Sequence, residues 1–166
     1  CAQVDPVSYD CARNEVGLWT VADGAAVGSP LAGQQGPLAF TPDGARLVTR
    51  DAQWQFVQWD LELRQMQGPV FSGISTWPGG LAFNPAGTMV AVAACAGVDS
   101  VCAGTQVLVW DAATGRLLYQ TADASAATAY PAHDTSLAFS PDGTTLAWGG
   151  CAQTGVDEFG NAICLQ

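Results

Sequence analysis

Lysine is absent from the 166 residues, and the basic side chains are only Arg13, Arg46, Arg50, Arg64 and Arg116. Against these five stand 15 acids, for a formal net charge of −10 at pH 7. Nucleic acid is held by basic stripes that neutralise phosphates, so neither DNA nor RNA is an expected partner. Charge of either sign is scarce, at 12% of residues against the usual ~25%. Long apolar runs are lacking too: the longest, Met89–Val98, falls well short of the ~20 residues that cross a bilayer, so no membrane span is expected. A single histidine, His133, leaves any Ser–His mechanism one possible base. No nucleophile elbow, phosphate loop, dinucleotide fingerprint or metalloprotease helix is present. The expectation is therefore a protein with no catalytic residues and no cofactor. What the chain does have is 49% hydrophobic residues, 19 Gly and 9 Pro. That excludes a disordered acidic tail and suits one domain rich in turns.

Those residues recur in a fixed order. Leu38-Ala39-Phe40-Thr41-Pro42-Asp43-Gly44 returns as Leu81-Ala82-Phe83-Asn84-Pro85-Ala86-Gly87 and as Leu137-Ala138-Phe139-Ser140-Pro141-Asp142-Gly143. A short apolar run into Pro-x-Gly reads as a strand and a tight turn, since Pro presets φ near −65° and Gly accepts positive φ. A second apolar segment follows each turn, at Arg46–Thr49, Thr88–Ala93 and Thr144–Trp148. A third element recurs as Val16–Thr20, Phe56–Asp60 and Val107–Asp111, with Trp19, Trp59 and Trp110 in register. Ala-Asp-Gly or Ala-Thr-Gly then leads to a fourth stretch such as Arg116–Thr121. Four short strands per unit without helical periodicity predict an all-β, antiparallel protein. One unit cannot bury both its faces, whereas units stacked around an axis can.

The runs L-A-F-S-P-D-G (137–143) and V-L-V-W-D-A-A-T-G-R-L-L (107–118) resemble the WD-repeat β-propeller family, in a bacterial type with cysteine-containing hairpins. The resemblance covers nearly the whole chain. It implies blades of four antiparallel strands and a scaffold that binds protein. One departure stands out. The family's Gly-His pair is missing: His133 lies near one such position, and the others carry Gln34-Gln35 and Trp77-Pro78. The His–Ser–Asp–Trp hydrogen-bond network associated with the family is expected to be incomplete here. The strand count predicts about three blade-equivalents with open ends: a half blade at 1–34, blades at 36–72 and 79–127, and a half blade at 135–166. Such a chain is either a segment of a larger propeller or is completed by another chain. Both ends carry a full cysteine loop, so splicing one end to the other leaves one loop too many, which favours the segment.

The six cysteines sit at repeat positions. Cys95 and Cys151 each follow the Leu of the turn motif by 14 residues, and Cys11 and Cys102 each precede the strand Trp by eight. In this register one cysteine closes a second strand and the next opens a third, which pairs Cys1 with Cys11, Cys95 with Cys102 and Cys151 with Cys164. Residues facing across a hairpin mouth meet the spacing a disulfide needs. Reduced structural thiols are the alternative. Two thiols per loop and one histidine cannot supply zinc with four ligands per site, so no metal is expected. The register also argues against an acylated Cys1, which already has a partner.

Disulfides would place the protein in an extracellular or periplasmic setting, and reduced thiols in the cytoplasm. The loop acids Asp5, Asp10 and Asp99, with the group Asp157, Glu158 and Asn161, read as solvated side chains, since no loop has EF-hand spacing. Trp19, Trp59 and Trp110 are expected in the core. Trp54, Trp77 and Trp148 fall outside the strand register and are the candidate interaction surface. The function expected is a protein-interaction or self-assembly scaffold, an extracellular structural subunit with disulfide-locked hairpins. The alternative, also from the resemblance, is the sensor propeller segment of a larger cytosolic bacterial signalling ATPase. The partner is another protein, or a second copy through the open blade edges.

Overall fold

The structure is a computed structural model that describes residues 3–4, 11–74, 78–95, 105–123, 136–149, 154–156 and 162–164. The described residues contain strands and turns and no helix. Two four-stranded antiparallel sheets form the centre. The first runs β5 (Gln35–Phe40), β6 (Arg46–Arg50), β7 (Phe56–Asp60) and β8 (Gln65–Met66), in that order. The second runs β9 (Pro78–Phe83), β10 (Met89–Cys95), β11 (Thr105–Asp111) and β12 (Leu117–Asp123). In each, strands consecutive in the chain are neighbours in the sheet, the blade topology of a propeller. The fourth strand of the first sheet continues past Gly68, where Phe56 and Phe71 exchange backbone hydrogen bonds of 3.0 and 2.9 Å.

Two-stranded hairpins flank this centre. On one side β3 (Glu15–Val16) pairs with β4 (Leu31–Ala32), and on the other β13 (Ser136–Phe139) pairs with β14 (Leu146–Gly149). Further short pairs join β1 (Gln3–Val4) to β2 (Cys11–Arg13), and β15 (Thr154–Val156) to β16 (Ala162–Cys164). These last pairs lie where sequence reading placed only cysteine-bearing loops. The sheets are open, and the first strands of successive units lie side by side, β5 beside β9 and β9 beside β13. The fold is thus a run of propeller blades that does not close on itself.

The core lies between blades. Strand β10 shows why, because it is apolar at every position and period two sends alternate residues to opposite faces. Val90, Val92 and Ala94 join Val48, Phe56, Phe71, Leu108 and Trp110 between the two full blades, with Leu81 and Phe83 packed against them. Ala91 and Ala93 face the other way with Val107 and Val109, where Leu137, Phe139 and Leu146 of the β13–β14 hairpin cover them. A strand buried on both faces reads as an unbroken apolar run. On the far side of the first full blade, Leu47 meets Val16 and Leu31 of the β3–β4 hairpin, with Trp59 alongside.

The strand tryptophans divide by neighbour. Trp110 is 1% exposed and packs its ring against Phe71, with centroids 5.9 Å apart at 51°. Trp59 is half-buried. Trp19, expected in the core, is 64% exposed. The correction has a physical cause: in each unit this Trp faces the preceding unit, and among the described residues none precedes β3. The Trp19 ring folds back over Gly17 instead, where a Cβ would lie 2.2 Å from it.

Candidate functional site

The turns that position the blade faces are built from short polar side chains. In the 41–44 turn the Thr41 hydroxyl donates to Asp43 at 2.6 Å, and the Ala45 amide donates to the same carboxylate at 3.0 Å. In the 140–143 turn the Ser140 hydroxyl donates to Asp142 at 2.5 Å, and the Thr144 amide and hydroxyl donate at 3.0 and 2.9 Å. These donors favour the ionised form. Led by Ser140, they hold Asp142 down to about 2 from the ordinary 3.8, and Thr41 leads a similar lowering at Asp43. The middle repeat has Ala86 where the others have Asp. There Asn84 takes over, its carbonyl oxygen accepting from the Thr88 and Met89 amides at 2.9 Å each. The sequence signal was available: Asn replaces Ser/Thr in the one repeat that loses the acid.

These turns also stack. A Cβ on Gly87 would sit 3.4 Å from Pro42, and one on Gly143 would sit 3.5 Å from Pro85, so each Pro lies over the Gly of the next blade's turn. A Cβ on Gly44, at the equivalent place, would meet nothing within 4 Å. A second link between blades is polar. Gln58, buried on β7, donates from its amide to the Ala112 carbonyl oxygen at 3.1 Å. Gly115, at φ 73°, packs so closely on Pro69 that a Cβ would approach it to 2.8 Å.

Gln34, noted in the sequence where a Gly-His pair was looked for, is buried and accepts a 2.6 Å hydrogen bond from the Thr49 hydroxyl. The indole nitrogen of Trp59 is buried with no hydrogen-bond partner.

Of the candidate surface residues, Trp148 lies on β14 at 39% exposure. Trp54 sits in the β6–β7 turn at φ 63°, half-buried, with the Arg50 guanidinium carbon 4.1 Å from its ring centroid. The same guanidinium donates to Gly36 O at 3.1 Å and to the Gln35 side chain at 2.7 Å. One ring face of Trp54 is thus already covered by a cation. Trp77 lies outside the described residues. So do Cys1, Cys102 and Cys151, while Cys11, Cys95 and Cys164 are placed in strands by their backbone and their side chains lie outside the description. His133, Asp5, Asp10, Asp99, Asp157, Glu158 and Asn161 also lie outside it. Among the described residues no three His, Cys, Asp or Glu are grouped to hold a metal ion, and no helix is long and apolar enough to cross a membrane.

The outer blade faces are also exposed, and sequence reasoning did not single them out. On one side Leu38 (45% exposed) and Phe40 (52% exposed) project from β5, beside a cleft of about 370 Å³ walled by Val16, Trp19, Gln34 and Leu38. On the other side the β13–β14 hairpin presents Ala138, Ala147 and Gly149.

No protein-family model matches the sequence, and no curated protein matches it. Among solved structures, the chain is similar to the β-propeller domain of Myceliophteria thermophila Cps50 (Swd1), at 20% identity and a TM-score of 0.47. That likeness covers 63% of this chain and 29% of the other. Strand pairing and interblade packing, and not that likeness, carry the assignment of an open-ended set of propeller blades.

Proposed function

We propose that the protein is a non-catalytic scaffold whose open blade faces bind protein. The observation that supports this most is the exposure of Leu38 and Phe40. Their counterparts Leu81 and Phe83 are packed against a buried core by a neighbouring blade. Large apolar side chains grouped on an exposed sheet face mark an interaction site. Of the residues walling the adjoining cleft only Glu15 is charged, which suits an apolar protein surface as occupant better than a polar metabolite.

The finer reading is an extracellular or periplasmic structural subunit with hairpins locked by Cys1–Cys11, Cys95–Cys102 and Cys151–Cys164. Repeat register of the cysteines supports it. Counting free thiols in the native, unreduced protein tests it, with none expected. Six free thiols would overturn it and favour the cytosolic sensor reading. The scaffold itself is tested by carboxylate-directed cross-linking in the producing cell, followed by mass spectrometry. Inter-protein links should concentrate around β5 and the β13–β14 hairpin. Links confined to other surfaces would overturn the assignment.

A further inference from the structure

The geometry points to a second copy of this chain as the partner: its β13–β14 hairpin seats on the Leu38–Phe40 face and fills the cleft between β5 and the β3–β4 hairpin. This inference rests on the scaffold reading and names the occupant of its site. Three observations carry it.

The first is how the closed junction on the β13–β14 hairpin's own inner side is made. Leu137, Phe139 and Leu146 cover the small side chains Ala91 and Ala93 of the preceding blade. In repeat register Ala138, Ala147 and Gly149 correspond to Ala82, Ala91 and Ala93. The outer face of the β13–β14 hairpin therefore presents small side chains at the positions that Ala82, Ala91 and Ala93 hold in the preceding blade, with Gly149 one methyl group smaller than Ala93. Leu38 and Phe40 correspond to Leu137 and Phe139. The exposed large side chains at one end thus match the exposed small ones at the other.

The second is the turn stack. Pro42 lies over Gly87 and Pro85 over Gly143, while Gly44, at the equivalent place, has no proline over it. Seating the hairpin lays Pro141 of one copy over Gly44 of the next, extending an interface the chain already makes twice.

The third is strand count. Among the described residues β14 pairs only with β13, and β3 and β4 form a sheet of two. One hairpin from each copy gives a blade of four strands. Two copies joined head to tail at both ends give six blades, within the ~4–8 that propellers use. A heterologous contact of this kind closes as a ring when the rotation allows. The β15–β16 hairpin of one copy and the β1–β2 hairpin of the other then project together from the same end of the shared blade.

The test is light scattering of the 166-residue chain across the micromolar range, with Phe40→Asp and Ala147→Asp as variants at exposed positions. The wild type should show a species of twice 17.1 kDa. Each variant buries an unpaired charge on pairing, so its dissociation constant should rise about 100-fold or more, with unchanged circular dichroism. Mixing the variants should restore a heterodimer, since one junction then joins two unaltered faces. A monomeric wild type would overturn the proposal, as would association that both variants leave intact or a mixture that stays monomeric. The cross-linking experiment judges the scaffold reading separately, because links to a different protein at the same face would sustain that reading while this pairing fails.

Discussion

Leu81, Phe83 and Trp110 face a neighbouring blade, with Leu81 and Phe83 packed against its core and Trp110 fully buried; Leu38, Phe40 and Trp19 occupy the same repeat positions and stand exposed. The residues at the two places are alike, and only the neighbour differs. Burial in this chain is thus a property of the junction between units, and a single unit has no core of its own. The two closed junctions show what an open face needs: an apolar surface for the large side chains, made of small residues in one junction, a Pro over a Gly in both, and in the other a polar link from Gln58 to Ala112.

The sharpest way to break the comparison is to truncate the same residue at both places. Trp110→Ala should cost about 3–5 kcal/mol, because it empties a filled interblade core. Trp19→Ala, measured in protein dilute enough to be unpaired, should stay within about 0.5 kcal/mol, as an exposed substitution does. Urea unfolding midpoints compare the two directly, and equal losses would show that Trp19 is packed.

Glycines give a second, smaller contrast. Gly115 and Gly44 both have positive φ, at 73° and 70°, but Pro69 crowds only Gly115. Gly115→Ala should cost about 2–3 kcal/mol from strain and overlap together. Gly44→Ala should cost about 1 kcal/mol from backbone strain alone. Thermal unfolding resolves that difference.

The smallest effect concerns acid. Asp142 has its folded pKa lowered from 3.8 to about 2 by Ser140 and Thr144. A group lowered on folding stabilises the fold fully above its unfolded pKa, and that contribution fades as pH falls through the folded one. The 140–143 turn should therefore weaken between about pH 4 and pH 2, and the uncharged Asn84 turn should not. In an NMR titration the Thr144 amide shift should move with a midpoint near 2, while the Thr88 amide, bonded to Asn84, stays flat. An Asp142→Asn variant should lose the movement at Thr144.

Much of this was legible in the sequence because repetition fixes register. Three copies of the turn motif locate the first two strands of a unit, and three copies of the strand Trp locate the third. The all-β class and the open run of blades follow from those positions. Trp19 was misplaced because periodicity says which way a side chain faces and not whether anything lies opposite. The Arg50–Trp54 stack depends on a left-handed conformation at a non-glycine residue, for which the sequence carries no sign. Gln34 was noted only as a departure from the family; that its side chain would bond Thr49 in the core depends on how β4, β5 and β6 come together. The open faces at Leu38–Phe40 and Ala138–Ala147 could be recognised only once the closed junctions they imitate were seen.

Hydroxyl-radical footprinting, read by mass spectrometry on dilute and on concentrated protein, tests most directly the claim that burial belongs to the junction and that the β5 face takes a partner. Phe71 and Trp110 should resist labelling at both concentrations. Phe40 should be labelled in dilute solution and protected at high concentration. Equal labelling of Phe40 and Trp110 in dilute solution, or labelling of Phe40 that concentration leaves unchanged, would contradict the account.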